Sequence, residues 1–254
     1  MFRKITEFLH NFFFRKVATP EPEKIDVLPN EQPQQMESRR NEDLSAEAQL
    51  AYFLDKYLYA AFPTRSAFVS IRRNYDKEEQ LHGVDVEFVG TDGKVFYVDE
   101  KAQLYYLNQD LPTFAFELLF KRGVYDTTGW LCNYSLKTNF YMLIWPRSTQ
   151  NTCKGIRWEQ FTRADCLLVQ KSKILKMLAS KGLTVEKLQE DARNIRASGQ
   201  IGKIPIPNIR GIYYYASDPT RYREAPINIV ISKSILIELA QRRYIVTPDN
   251  IITT

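Results

Sequence analysis

The feature that most constrains the fold is a run of seven almost entirely apolar residues at positions 139–145, which Pro146 closes. A run this short predicts a strand, because helices usually need about ten residues or more. Successive side chains of a strand point to opposite faces of a sheet, so this strand has to be covered on both faces. The chain is therefore expected to build at least two layers around a central sheet.

Further elements are predicted on the N-terminal side of this run. Three strands are expected there, at residues 67–72, 84–89 and 94–104. The last two are joined by Gly90-Thr91-Asp92-Gly93, which has the composition of a hairpin turn. One helix is predicted from Ser45 to about residue 60, and another at 111–121. The resulting order α-β-β-β-α-β predicts an α/β fold with a mixed β-sheet flanked by helices.

The chain divides into four predicted parts. Residues 1–17 place large apolar side chains at helical spacing between basic residues. This pattern predicts an amphipathic helix that docks on the protein body, on a protein partner or on an anionic membrane surface. Residues 18–43 contain four prolines among polar residues and are predicted to be a flexible linker. Residues 44–150 form the predicted core, and residues 151–254 form a basic C-terminal α/β extension.

The C-terminal extension is expected to mix strands and helices. Strands are predicted at residues 166–169, 212–215 and 227–231, and helices at residues 172–180, 185–196 and 234–241. Residues 121–223 hold 18 Lys and Arg against 7 Asp and Glu, whereas residues 1–120 hold 14 against 20. A basic region suits a polyanion and an acidic region suits a cation, although a solvated basic surface without a ligand is the alternative.

Several classes of function lack support in the sequence. The three cysteines are widely spaced, no Cys-x-x-Cys pair occurs and there are two histidines, which argues against a zinc site. The phosphate-binding loop of nucleotide hydrolases, the glycine motif of dinucleotide-binding enzymes and the Gly-x-Ser-x-Gly motif of hydrolases are absent. No apolar run reaches the length of a transmembrane helix, and we expect a cytoplasmic protein.

The strand predicted at 94–104 carries an unusual group of polar residues. Side chains alternate along a strand, so Asp99, Lys101 and Gln103 share one face while Glu100 points to the other. Burying a carboxylate and an ammonium group inside a sheet is costly unless they pair with each other or meet a ligand. This short segment is therefore the strongest candidate for a functional site.

A second acidic residue is expected beside this segment. Asp85 stands between two valines on the preceding strand, and the hairpin brings it back to face Asp99. Two carboxylates so placed repel one another unless a divalent cation lies between them, and oxygen ligands favour Mg²⁺ or Mn²⁺. The backbone carbonyl of Glu100 is a further predicted metal ligand. The metal would activate a water, and Lys101 would hold that water and stabilise charge on a phosphate, or help to remove a proton if desolvation lowers its pKa.

Asp85, the hairpin and Asp99-Glu100-Lys101 together resemble the PD-(D/E)XK nuclease superfamily, over residues 45–146. The resemblance implies a restriction-endonuclease-like core in which Asp85 and Asp99 bind Mg²⁺ and Lys101 assists the attacking water. Many members place a glutamate on the first helix, where Glu47 stands, and some place a glutamine where Gln103 stands. Val84 replaces the proline that often precedes the first acidic residue. The implied activity is hydrolysis of phosphodiester bonds; DNA is the expected substrate, and RNA stays open as the less favoured alternative.

Other interpretations of the same residues stay open. The triplet Asp92-Gly93-Lys94 has the same spacing but lies in the predicted turn, where such residues are ordinary. Asp99 and Lys101 could form a purely structural ion pair, and Glu47 is favoured in a first helical turn by the helix dipole alone. The chain could then be a non-catalytic nucleic-acid-binding or scaffold protein that keeps the fold. An assembly protein recruited through residues 1–17 is a further alternative.

Basic residues after the predicted site are the candidates for contact with nucleic acid. They are Lys121, Arg122, Lys137, Arg147, Lys154 and Arg157. Trp130, Tyr134 and Trp158 are interleaved with them. Lysine and arginine bind phosphates while aromatic rings stack on bases, so this composition predicts a nucleic-acid interface, although the aromatic residues could equally belong to the core.

Overall fold

The computed structural model of the chain describes residues 33–62 and 68–254, with side chains from residue 45 onward. The predicted N-terminal helix at residues 1–17 lies outside the described residues, as do residues 18–32 of the predicted linker. The described part contains two β-sheets, five α-helices and three short 3-10 helices. The α-helices are α1 (Pro33–Tyr57), α2 (Lys77–Leu81), α3 (Lys171–Ala179), α4 (Val185–Ser198) and α5 (Lys233–Leu239).

The first sheet has seven strands, numbered along the chain. In spatial order they are β1 (Phe68–Arg73), β2 (Val86–Gly90), β3 (Val95–Ala102), β6 (Phe140–Ser148), β7 (Phe161–Gln170), β11 (Arg242–Val246) and β12 (Ile251–Thr253). Strands β3 and β6 are parallel, and every other neighbouring pair is antiparallel. The predicted hairpin between β2 and β3 is confirmed: Gly93 adopts a φ of 76°, and the N–H of Gly90 donates to the carbonyl of Lys94 at 2.8 Å.

The second sheet has five strands and is antiparallel throughout. Its order is β5 (Tyr125–Thr128), β4 (Thr113–Arg122), β10 (Ile227–Ser232), β9 (Ile212–Ala216) and β8 (Gly202–Pro205). This sheet belongs to one hydrophobic core with the first sheet and helices α3, α4 and α5. Helix α1 packs on the opposite face of the first sheet in a second core.

Strand β6 separates the two cores, as its all-apolar sequence predicts. Phe140, Met142 and Ile144 belong to the core beneath α1. Tyr141 and Trp145, on the other face, contact the second sheet: their rings lie 6.1 Å from Phe116 and 5.3 Å from Phe114, measured between centroids. Covering both faces of one strand is what fixes the layered architecture.

The largest departure from the sequence-based prediction is at residues 111–121. This segment was expected to be a helix, but Thr113–Arg122 forms strand β4 of the second sheet. The segment is apolar at most positions, so periodicity does not separate helix from strand, and pairing with β10 decides the outcome. The predicted order α-β-β-β-α-β is therefore wrong. The connection between the parallel strands β3 and β6 passes through β4 and β5 instead of a helix.

The ends of the predicted core also differ from expectation. Helix α1 begins at Pro33, so residues 33–43, which composition assigns to a linker, are helical and Ser45 lies inside the helix. Proline is well tolerated in a first helical turn, and most of the residues that follow favour helix. The predicted division at residue 150 also cuts through both sheets, because β7 pairs with β6 and β10 pairs with β4.

Several elements of the C-terminal part are confirmed. The strands predicted at 166–169, 212–215 and 227–231 fall within β7, β9 and β10. The helices predicted at 172–180, 185–196 and 234–241 correspond to α3, α4 and α5. Across residues 33–62 and 68–254, no helix combines the length and the apolar character needed to cross a membrane.

Candidate active site

The site is built where strand β2 separates from strand β3. Asp85 was predicted to lie on the strand at residues 84–89 but immediately precedes β2, and its backbone N–H donates to the carbonyl of Val98 at 3.0 Å. At Glu100, two residues further along β3, the backbone N–H donates to the side chain of Asp85 and not to a backbone carbonyl. The distance to Asp85 Oδ2 is 2.8 Å. This hydrogen bond fixes the carboxylate in the gap between the two strands.

Asp99 and Lys101 lie on the face of β3 that looks toward the second sheet. Both residues are only 3% exposed, and Lys101 Nζ donates to Asp99 Oδ1. They are in register with Tyr141 and Leu143 of β6. Lys101 Nζ also lies 5.3 Å from the ring centroid of Trp130. The shared face follows directly from the alternation of a strand.

A glycine brings the preceding turn against Asp99. Gly83 adopts a φ of 75°, a backbone conformation that other residues rarely adopt. A Cβ at this position would lie 3.6 Å from Asp99 Oδ2 and 2.3 Å from the hydroxyl oxygen of Thr138. The Thr138 hydroxyl in turn donates to the carbonyl of Gly83 at 2.9 Å. The close approach of this turn to Thr138 therefore depends on the absence of a side chain at Gly83.

The two carboxylates influence one another. Burial, followed by the charge of Asp99, raises the pKa of Asp85 to about 6, while Lys101 acts in the opposite direction. Burial by itself would lower the pKa of Lys101, but Asp99 and Asp85 outweigh it and the net shift is upward. Lys101 is therefore an ammonium group at neutral pH.

Glu47 and Gln103 have different positions relative to this group. Glu47, on α1, lines the same cavity as Asp85, and its charge contributes to the raised pKa of Lys101. Gln103 is 1% exposed, and its Nε2 donates to the carbonyl of Thr113 at 2.8 Å. That bond ties the end of β3 to the start of β4. Gln103 therefore supports the strand, whereas Glu47 faces the acidic group.

The side chain of Glu100 enters a separate network on the α1 face. Tyr59 donates its hydroxyl to Glu100 Oε1 at 2.5 Å, and two nitrogens of Arg73 donate to Glu100 at 2.7 and 3.2 Å. The Nε of Arg73 also binds both oxygens of Asp55, at 2.7 and 2.9 Å. This network joins α1, β1 and β3. Nothing in the sequence signals such pairings, because the partners are far apart along the chain.

Two more ionisable residues approach the site from the side of the second sheet. Lys171 is 8% exposed and donates to the carbonyls of Trp130 and Asn133, at 3.4 and 3.1 Å. Burial lowers the pKa of Lys171, while Asp99 opposes that shift. Burial and then the charge of Glu224 raise the pKa of Glu117 to about 8, while Lys101 opposes it. Sequence reasoning missed Glu117 because it placed that residue on a helix.

The six basic residues predicted to contact nucleic acid lie in three places. Lys121 and Arg122 end β4, and Lys121 pairs with Asp126 at 3.2 Å. Arg147, Lys154 and Arg157 lie at the end of β6 and in the connection to β7, and all three are exposed. Lys137 precedes β6; its side chain pairs with Glu79 at 2.7 Å, and its N–H donates to the carbonyl of His82, next to Gly83. Of the six, Lys137 is thus tied to the turn beside Asp99.

The aromatic residues divide in the same way. Trp130 is 5% exposed and packs in the core, with its ring 4.9 Å from that of Tyr141. Tyr134 is 73% exposed, and Trp158 packs against Tyr52 of α1 with 5.0 Å between ring centroids. Of these three aromatic residues, Tyr134 and the accessible part of Trp158 can therefore stack on a nucleobase as predicted, whereas Trp130 belongs to the core.

Whether these residues fit a metal ion depends on the number of oxygen ligands. Within the described residues, no group of three or more His, Cys, Asp and Glu is arranged to hold a metal. Two carboxylates, Asp85 and Asp99, do converge, and neither the Oδ1 of Asp85 nor the Oδ2 of Asp99 takes part in the hydrogen bonds described above. Mg²⁺ is commonly held by one or two carboxylates, with water and substrate phosphate completing its shell. The pair fits that mode of binding and does not form an all-protein cage.

Comparisons with protein-family models, with curated proteins and with solved structures give no match for this chain.

Proposed function

We propose that this chain is a metal-dependent nuclease that hydrolyses phosphodiester bonds of DNA, with Asp85, Asp99 and Lys101 at its active centre. The observation that carries the proposal is the convergence of two carboxylates and one ammonium group at the gap between β2 and β3. Lys101 binds Asp99 directly, while Asp85 remains close enough to Asp99 for its pKa to rise. The three residues carry a net negative charge, and Glu47 adds to it.

A buried ion pair is a weak source of stability, because the loss of hydration offsets the attraction between the charges. A second carboxylate beside such a pair makes the arrangement less favourable still. A divalent cation would remove this repulsion. The energetic cost of the group therefore supports a role in binding a cation and its phosphate ligand.

The roles of the residues follow from their protonation and position. Asp85 and Asp99 would hold Mg²⁺ or Mn²⁺ through their remaining oxygens. When bound, the ion supplies Lewis acidity toward a phosphate oxygen and a water. Lys101, kept as an ammonium by the carboxylates, orients the attacking water and stabilises the negative charge that develops on the phosphate. The charges of Asp99 and Asp85 raise its pKa, which favours this role over that of a general base.

Neighbouring groups hold the two carboxylates in position. The N–H of Glu100 holds the carboxylate of Asp85 at the strand gap, and the ammonium of Lys101 holds that of Asp99. Glu47 completes the acidic side on α1. The backbone carbonyl of Glu100 stays a proposed ligand. Lys137 is the basic residue best placed to meet a phosphate near the centre.

The proposal is tested by incubating the full chain with plasmid and single-stranded DNA in Mg²⁺, in Mn²⁺ and in EDTA. We expect cleavage that requires the metal. Lys101→Gln, which can still donate a hydrogen bond to Asp99, should lower the cleavage rate about 100- to 1,000-fold, the range found when one stabilising donor is removed. Lys94→Gln is the matched control, since Lys94 belongs to the other acidic-x-Lys triplet and its side chain is 72% exposed.

One observation favours a second candidate, a non-catalytic nucleic-acid-binding protein that keeps this fold. Asp99 and Lys101 already satisfy one another and are almost fully buried. Under that alternative the chain binds DNA, Lys101→Gln and Lys94→Gln bind it equally well, and none of the three proteins cuts any substrate in either metal. Metal-dependent cleavage that Lys101→Gln loses would exclude it.

A further inference from the structure

A cavity of about 320 Å³ opens beside Asp85 on the α1 side of the strand gap. Glu47 and Asp85 form its acidic wall. Its floor is apolar and consists of small or aliphatic side chains, including Ala48, Leu54 and Ile144. The volume falls at the lower end of the range for small-ligand sites, about 300–1,000 Å³. Such a cavity accepts one planar group and not a base pair.

Two exposed tyrosines stand at the edge of this cavity. Tyr52, on α1, is 53% exposed, and its ring is supported by Trp158 at a centroid distance of 5.0 Å. Tyr75, in the connection between β1 and α2, is 79% exposed. Aromatic rings in such positions stack on nucleobases with little regard to sequence, since every base has a π-face.

The charge of the lining selects against a phosphate inside the cavity. Four carboxylates line it, those of Glu47, Asp55, Asp85 and Glu100, against the single guanidinium of Arg73. Arg73 is already engaged by Asp55 and Glu100. A neutral planar group is therefore a better occupant than an anion. Gln80 adds polarity at the wall: its Nε2 donates to the carbonyl of Asn74 at 2.9 Å, which leaves the amide oxygen as an acceptor.

We propose that this cavity binds one unstacked nucleobase next to the bond that is cut, so that the site prefers single-stranded nucleic acid to an intact duplex. The inference rests on the proposed nuclease function. A base seated between Tyr52 and Tyr75 would carry its phosphate outward to Asp85 and Glu47, where a cation offsets the repulsion. A base taken from a duplex must first be unstacked and unpaired, whereas a base in a single strand is freely available.

The binding step is tested with a DNA oligonucleotide that contains the fluorescent base 2-aminopurine. The full chain is titrated in Ca²⁺, an oxygen-seeking ion used here in place of Mg²⁺, with the oligonucleotide either single-stranded or annealed to its complement. We expect quenching of the single-stranded probe and at least tenfold weaker binding of the duplex. Tyr52→Ala and Tyr75→Ala should each weaken single-strand binding about tenfold. Tyr125→Ala, which alters a 75% exposed tyrosine on β5, is the matched control and should change nothing.

Cleavage in Mg²⁺ separates this inference from the proposed function. Faster cutting of the single strand, with the preference lost in Tyr75→Ala, supports both. Equal binding and cutting of single strand and duplex, with no effect of either tyrosine, overturns the inference and leaves the nuclease assignment intact. Tyrosine-dependent quenching without any cleavage supports the base site and overturns the nuclease assignment.

Discussion

Two clusters of charged side chains lie on opposite faces of β3, and they differ in how their carboxylates are bound. On the α1 face, the guanidinium of Arg73 lies between Asp55 and Glu100 and donates to both. On the other face, Lys101 donates to Asp99, and in the adjoining gap between β2 and β3 the Oδ2 of Asp85 accepts from a backbone N–H. In one cluster a single cation donates to both carboxylates, whereas in the other the ammonium of Lys101 donates to Asp99 and acts on the nearby Asp85 through its charge.

The difference indicates which charged side chains stabilise the fold and which are suited to binding a ligand. A cation shared by two carboxylates offsets their repulsion and holds three elements together, so the Arg73 cluster is expected to stabilise the fold. Asp85 and Asp99 repel one another, and burial adds to the cost. Such a group is expected to contribute little to stability and much to ligand binding. Changes on the two faces should therefore have opposite signatures.

The largest effect on stability is expected from Arg73→Met. The change leaves the carboxylate of Glu100 buried without its cation, which costs about 3–5 kcal/mol in the free energy of unfolding. Urea denaturation measures the loss. Arg72→Met is the matched control, because the side chain of Arg72 is 74% exposed and its pair with Glu87 should contribute under about 1 kcal/mol. Equal losses in the two variants would contradict the structural role of the Arg73 cluster.

Asp85→Asn should produce the opposite signature. The variant removes an ionised ligand, so we expect cleavage to fall about 100- to 1,000-fold. Its unfolding midpoint should stay equal to that of the unchanged protein or rise, because the substitution removes a carboxyl group that burial and Asp99 destabilise. Initial rates on single-stranded DNA and thermal denaturation measure the two effects. A loss of stability comparable to that of Arg73→Met would place Asp85 among the structural charges.

The pH dependence of stability provides a test at Glu117, a third charged residue near the site. Its pKa is raised from 4.5 to about 8 in the folded protein. Below about pH 4.5 the carboxyl is neutral in both folded and unfolded chains and costs nothing. As pH rises from there toward 8, the unfolded chain ionises first, so the folded protein loses stability. We expect Glu117→Gln to gain on the order of 2 kcal/mol over the unchanged protein at pH 8 and nothing at pH 4. A difference that does not vary with pH would show that Glu117 is not held neutral.

The smallest expected effect is a difference in stability between alanine substitutions at two glycines, one beside the candidate site and one in the β2–β3 hairpin. Gly83 and Gly93 have φ values of 75° and 76°, so alanine should strain both about equally. Only Gly83 has atoms in the path of a Cβ, whereas nothing lies within 4 Å at Gly93. Gly83→Ala should thus cost about 1 kcal/mol more than Gly93→Ala. It should also slow cleavage, which Gly93→Ala should not. Identical unfolding midpoints would argue against tight packing of the turn on Thr138.

Local pattern was sufficient for part of the molecule. The strands β1, β2, β3 and β6 and the hairpin between β2 and β3 follow from alternation, apolar runs and turn residues. The common face of Asp99 and Lys101 follows from the same alternation, as does the opposite direction of Glu100. These features depend on backbone geometry over a few residues, which any stretch of sequence carries with it.

Tertiary structure decided the rest. Strand β4 is apolar enough to be helix or strand, and only its pairing with β10 makes it a strand. Glu117 and Lys171 approach the site, and Arg73 meets Glu100, because distant segments pack together. Which faces meet depends on the total burial of the assembled chain and not on any single segment. The sequence by itself therefore determined the acidic and basic groups of β3, and the packing determined what surrounds them.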